Sequence, residues 1–160
     1  MNINTNEIIH WLSSTGLSQL IQTTSWAIPA IQVVHILCLA TLFALALNLA
    51  LRIAGRGLAA EPLASLASRF VPTMWVCLVV LFVSGALLII AEPFRTITNP
   101  VFYLKMSLLL VAIALTLWLA AIARRRPEVP RPIHVAAATV SMLVWAGIIV
   151  AGRYIAYTET

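Results

Sequence analysis

The sequence predicts an all-α, polytopic membrane protein: four transmembrane helices in a bundle, plus an N-terminal amphipathic helix in the interface on the periplasmic side. Of its 160 residues, 62% are hydrophobic and only 9% are charged, whereas soluble domains are about half apolar and a quarter charged. Four stretches without charged residues are each long enough to cross a bilayer, which takes about 20 apolar residues. The arginines gather beside the ends of these stretches, as is typical of membrane topology signals.

The N-terminal segment, residues 6–23, is too polar to cross a membrane. Apolar residues recur along it at spacings typical of a helical face: Ile8, Ile9, Leu12, Leu17, Leu20 and Ile21. We expect a helix that lies along the outer interface, with a break near Gly16. It either anchors the edge of the bundle or covers a site that faces outward.

The four spans are predicted at residues 26–51, 70–91, 100–123 and 133–157, within a single membrane domain of residues 1–160. Pro100 suits the first turn of a helix, where its missing N–H has no partner to lose. The linker RRRPEVPRP, residues 124–132, is polar and rich in proline, so it ends one helix and precedes the next.

The positions of the arginines predict the orientation. Basic residues flank the loop between the first two spans and the loop between the last two: Arg52, Arg56, Arg69, Arg124, Arg125, Arg126 and Arg131. The positive-inside rule places both loops in the cytoplasm and both termini in the periplasm of a bacterial inner membrane. The formal net charge of +5 therefore reflects topology. We expect the bilayer, other membrane or periplasmic subunits, or a second copy as partners, and no nucleic acid.

The composition argues against several enzyme classes. The chain contains no Asp, and its five Glu lie near span ends or outside the spans. Paired intramembrane carboxylates and carboxylate metal cages are therefore excluded. The sequence also lacks a glycine-rich phosphate loop and a dinucleotide-binding fingerprint, so we expect no catalysis by this chain alone.

Polar side chains inside a bilayer are costly and need a structural partner or a function. His35 is predicted about 13 Å below the outer edge of the first span, with Gln32 one turn above it on the same face. Lys105 lies about 7 Å and Arg153 about 5 Å inside the outer edges of the third and fourth spans. The sequence thus predicts polar groups in the outer half of the bundle.

An imidazole with cations nearer the surface suits a haem b, whose iron takes the imidazole and whose propionates take the cations. It equally suits a quinone head group. We expect His35 to be the metal ligand of the haem or a quinone contact, with Gln32, Lys105 and Arg153 orienting the acidic or carbonyl groups of the cofactor. His10, if its helix folds inward, is a candidate second ligand, and Met106 is another. This interpretation makes the chain a small inner-membrane subunit of a redox or electron-transfer complex.

Two other functions remain open. The chain could be a cofactor-free scaffold or anchor for a partner protein, in which case His35 joins helices by a hydrogen bond and the cations reach towards the interface. It could also pass copper or another small solute, because His35 and Cys38 lie three residues apart and Cys77 is predicted at a similar depth.

Three stretches carry a resemblance to a known family: WAIPAIQVVHI at the start of the first span, LRIAG at its end, and NPVFYLK at the start of the third. The chain resembles an uncharacterised bacterial family of small four-helix inner-membrane proteins that carries only a domain-of-unknown-function label. The resemblance implies fold and location but no activity. Gln32 and Ala50 stand where that family's pattern has acidic residues. A looser similarity to copper-resistance membrane proteins and b-type cytochromes rests on topology and one histidine.

Overall fold

A computed structural model of the chain describes residues 5–55, 62–124 and 132–157, and within these ranges every regular element is a helix. The helices are α1 (Thr5–Ser13), α2 (Gly16–Thr23), α3 (Ala27–Ile53), α4 (Leu63–Ala91), α5 (Pro93–Ile97), α6 (Pro100–Arg124) and α7 (Pro132–Tyr157). Four of them, α3, α4, α6 and α7, are long and apolar enough to cross a membrane. Much of the bundle surface is apolar; Phe82 of α4, for example, is 79% exposed. A bilayer is the solvent that suits such a surface.

The long helices correspond to the predicted spans, with one difference. Helices α3, α6 and α7 match the predictions to within two residues. Helix α4 begins at Leu63, seven residues before the predicted span, and buries Ala67 in the core. A helix can continue beyond the hydrocarbon layer where it still packs on its neighbours, so hydropathy alone placed its start too late. The basic positions Arg56, Arg125, Arg126 and Arg131 lie outside the described residues.

Prolines and a glycine set several helix ends. Helices α5, α6 and α7 each begin with a proline, whose fixed φ and missing donor suit a first turn. Gly55 follows α3 with φ 72°, and its N–H donates to the Arg52 carbonyl at 3.1 Å. This is the left-handed conformation that commonly closes a helix, and glycine adopts it without a steric cost.

The four long helices form two hairpins. Helices α3 and α4 make one and α6 and α7 make the other; α3 also packs on α7 and α4 on α6, which closes a four-helix bundle. One end of this bundle carries α1, α2 and α5, which contact α3, α4 and α6. We call it the capped end. It holds the start of α3 and α6 and the end of α4 and α7.

The apolar core lies away from the capped end. One buried cluster includes Ile53, Ala67 and Ala123. A second, nearer the middle of the bundle, includes Leu42 and Trp145. Trp145 is fully buried, and its Nε1 donates to the Thr116 hydroxyl at 3.1 Å, so a hydrogen bond joins α7 to α6.

The predicted N-terminal helix is divided into α1 and α2, and the break comes at Ser14 and Thr15. The Thr15 hydroxyl accepts from the Ser18 N–H at 3.3 Å and donates to the Leu12 carbonyl at 2.6 Å. An N-cap of this kind favours a new helix start. The break therefore lies just before Gly16, near the predicted position.

Helix α2 caps the end of α4 with side chains. The Ser18 hydroxyl donates to the Ile90 carbonyl at 2.8 Å, and Gln22 Nε2 donates to the Ala91 carbonyl at 2.8 Å and to Ser18 Oγ at 3.0 Å. The last carbonyls of a helix have no partner within it. Helix α2, far away in the sequence, supplies hydrogen-bond donors to two of these carbonyls.

Ser18→Ala is expected to lower the free energy of unfolding by about 1–2 kcal/mol, because it leaves the Ile90 carbonyl unpaired beside a buried position. Thermal unfolding in detergent micelles measures the loss, and amide hydrogen exchange should show α2 opening faster. Thr23→Ala is the control, because the Thr23 hydroxyl bonds only within α2. Equal effects of the two variants would contradict the capping role.

Candidate intramembrane site

The side chain of His35 bridges α3 and α4. Its Nδ1 lies 2.8 Å from Oγ of Ser84, and Ser84 is 5% exposed. Both residues lie inside the predicted spans, about 10–12 Å from the helix ends that reach the capped end. An imidazole is therefore fixed well inside the apolar part of the bundle.

The second contact of Ser84 favours one tautomer of His35. The Ser84 hydroxyl also lies 2.7 Å from the Val80 carbonyl, which can only accept. Because a hydroxyl carries one proton, a Ser84 that donates to Val80 accepts from Nδ1–H of His35. The lone pair of the ring is then on Nε2, which is the atom left for a ligand.

The charge of Lys105 on α6 acts on the His35 imidazole, and the lysine packs beside α7. A methyl group added at Gly152 of α7 would lie 3.5 Å from its Nζ, and one added at Gly85 of α4 would lie 3.5 Å from Cε1 of His35. Two glycines thus line the polar side chains without adding bulk. We call His35, Ser84 and Lys105 the imidazole cluster; the spans α3, α4, α6 and α7 all contribute to its surroundings.

Gln32 lies one turn nearer the capped end than His35, on the same face of α3. It is partly exposed, and among the described residues its amide has no hydrogen-bond partner. The geometry leaves this amide available to water or a ligand beside the imidazole cluster.

Arg153 and His10 lie elsewhere. Arg153 is exposed and contacts Tyr157 one turn along its own helix, with its guanidinium 4.4 Å above the ring centroid and a hydrogen bond to the hydroxyl. His10 lines a groove at the capped end instead of approaching His35. The structure therefore places Lys105 within electrostatic range of His35 and Gln32 one turn from it, whereas Arg153 contacts Tyr157 and His10 lines the groove.

The capped-end groove is open and holds about 500 Å³. Its polar lining includes His10, Gln22 and an ion pair in which Arg95 Nη1 lies 2.9 Å from Glu92 Oε2. Ile28 of α3 and Ala91 of α4 form part of its wall. Glu92 joins α4 to α5, and Arg95 belongs to α5, so this short helix forms one side of the groove.

The two cysteines are free thiols that interact with each other across α3 and α4. Cys77 belongs to the middle core cluster, and Cys38 packs against it. Among the described residues, no three His, Cys, Asp or Glu side chains come together in a way that could hold a metal ion. At the other end of the bundle, His134 lies 6.1 Å from the Trp118 ring, centroid to centroid.

Sequence reasoning did not single out Ser84 or Gly85, and it did not connect Gly152 with Lys105. A Ser–Gly pair inside an otherwise apolar run was the available signal for the first two. Nothing local marks Gly152 as a neighbour of Lys105, because that contact depends on how α6 and α7 pack.

Comparisons with family models, curated proteins and solved structures give no match for this chain.

Proposed function

We propose that the chain is a small subunit of a membrane electron-transfer complex and that the imidazole cluster binds the head group of a quinone. One observation supports this most directly: Ser84 orients His35 through Nδ1, and the charge of the Lys105 ammonium acts on the same imidazole. Oriented polar groups in an apolar surrounding are what a lipid-soluble ligand with two polar oxygens needs.

The chemistry of the residues fits such a ligand. The Lys105 ammonium can donate to a carbonyl oxygen, and the free amide of Gln32 can donate or accept one turn away. Nε2 of His35, with its lone pair, can accept the proton of a quinol hydroxyl. When bound, a quinol would give up two electrons to a redox partner in the complex and two protons. This chain would hold the oxygens, Nε2 of His35 would receive one proton, and the other would pass to water.

A haem b fits these residues less well. His35 Nε2 could take the iron, and Lys105 could take a propionate. One candidate second ligand, His10, lines the capped-end groove. A haem here would therefore be five-coordinate or would take its second ligand from Met106 or from a partner subunit.

We infer the location from the sequence. The basic loop residues favour a bacterial inner membrane with both termini in the periplasm. The capped end, and with it the imidazole cluster, would then face the periplasm. Electrons and protons would be exchanged with partners on that side.

His35→Ala is expected to weaken binding of a short-tailed benzoquinone about tenfold, because one hydrogen bond contributes about 1–2 kcal/mol. Isothermal titration of the protein in nanodiscs measures the affinity, and solvent extraction of the purified protein identifies any native quinone. His134→Ala is the control, because it changes a partly buried histidine at the opposite end of the bundle.

Two results would overturn the quinone assignment. The first is a Soret band that disappears in His35→Ala, which would identify a haem. The second is a colourless protein without quinone affinity that still copurifies with stoichiometric subunits, which would favour the scaffold. Bound copper lost in Cys38→Ser would favour the transport function.

A further inference from the structure

Two helix faces run from the capped-end groove to the imidazole cluster. On α3, Ile28 of the groove wall, Gln32 and His35 follow one another at spacings of four and three residues. On α4, Ala91 of the groove wall and Ser84 are seven residues apart. Residues at these spacings share a helix face. The groove therefore lies about 10 Å, or two helical turns, above the His35–Ser84 hydrogen bond.

One polar side chain, Gln32, lies on this path between the groove and the His35–Ser84 pair. Gln32 lies midway on the α3 side and has no hydrogen-bond partner among the described residues. Leu88 lies midway on the α4 side and is half-buried. The buried apolar clusters lie on the far side of His35, from Leu42 onwards along α3, so neither fills this interval.

Charged and titratable groups flank both ends of the path. His10 of α1 and the Glu92–Arg95 pair face the groove. At the inner end, the charge of Lys105 on α6 acts on His35, and Gly152 of α7 lies beside the lysine. Arg153 of α7 is turned away to Tyr157. The Gln32 amide lies between the polar groups of the groove and those around His35, so it can hydrogen-bond to water on the path.

We propose that the capped-end groove is the mouth of an aqueous route that passes Gln32 and ends at the imidazole of His35. The route deepens the proposed function. Its role in carrying protons rests on that function, but the presence of water along it does not. When a redox partner in the complex takes the electrons of a bound quinol, the proton that its hydroxyl gives to Nε2 of His35 is passed on to water in the route and leaves at the capped end. The entry of water from the groove as far as Gln32 can be tested without any quinone.

Thiol accessibility tests the route. Gln32→Cys and Val33→Cys are made in a Cys38→Ser, Cys77→Ala background, and the protein is placed in phosphatidylcholine nanodiscs. A positively charged, membrane-impermeant methanethiosulfonate is the probe. Val33 is the matched control, because it lies at nearly the same depth but is 55% exposed on the outer surface of α3.

We expect Gln32→Cys to react about tenfold faster than Val33→Cys, because only a thiol in contact with water ionises to the reactive thiolate. Adding Ile28→Trp, which fills the groove wall, should slow the reaction of Gln32→Cys about tenfold. Leu88→Cys provides a second position on the opposite wall if Gln32→Cys does not fold. Equal rates at Gln32, Leu88 and Val33 in folded protein would overturn the route.

Quinone titration of the same preparations separates the two proposals. Fast labelling at Gln32 without quinone affinity overturns the quinone site and leaves the route. Quinone affinity lost in His35→Ala, with labelling at Gln32 as slow as at Val33, overturns the route and leaves the quinone site.

Discussion

Trp145→Ala is expected to lower the free energy of unfolding by about 3–5 kcal/mol, the usual cost of removing a buried large aromatic side chain. Trp145 is fully buried in the middle core cluster, and Leu42, Ala112 and Ile148 are buried in the same cluster. The variant leaves a cavity where α3, α4, α6 and α7 meet. It also removes the donor to Thr116.

Two further variants separate packing from hydrogen bonding. Trp145→Phe keeps most of the volume but loses the bond to Thr116, so about 1 kcal/mol should be lost. Phe82→Ala removes a large side chain that is 79% exposed on the outer surface of α4 and should change stability by less than about 0.5 kcal/mol. Reversible unfolding in mixed micelles of detergent and dodecyl sulfate measures all three. A similar loss in Trp145→Ala and Phe82→Ala would contradict the core position of Trp145.

Lys105→Met is expected to make the bundle more stable by about 1–2 kcal/mol and to weaken quinone binding at least tenfold. Methionine has a similar length and no charge, so the variant removes an ammonium group from an apolar surrounding. Replacing such a charge by an apolar group of similar volume is often stabilising. The loss of binding follows because the donor to the quinone carbonyl is gone.

Arg153→Met is the matched control for Lys105→Met. Both cations lie near the capped end of a long helix, but Arg153 is exposed and stacks on Tyr157. We expect little change in stability or quinone affinity, because an exposed cation–π contact contributes only about 0.5–1 kcal/mol. Thermal unfolding and isothermal titration on the same samples give both quantities. If Lys105→Met loses stability and keeps full affinity, Lys105 has a structural role only.

The sequence does not distinguish Lys105 from Arg153, although their surroundings in the bundle differ. Both are single cations just inside a predicted span, so the local signal is the same. Lys105 faces Gly152 of the neighbouring helix. Arg153 follows Gly152 directly, and a step of one residue rotates a side chain by about 100° around the helix. The rotation of α7 in the bundle therefore decides which cation can act on His35.

Ser84 illustrates a second limit. A serine inside an apolar helix can satisfy its own hydroxyl with a carbonyl one turn back, as Ser84 does with Val80. It therefore gives no sign by itself of a partner. Only the packing of α3 on α4 shows that it orients His35.

Hydropathy, capping and charge act over a few neighbouring residues, so the amino-acid sequence is enough to predict the four long apolar helices, the break near Gly16 and the unusual position of His35. Which polar groups meet is set by the tertiary structure. It joined His35 to Ser84 and Lys105, turned Arg153 outward, placed His10 in the groove, and capped α4 with Ser18 and Gln22. The physical reason is that each of these arrangements depends on the rotation and register of helices packed against one another, and residues far apart in the chain set both.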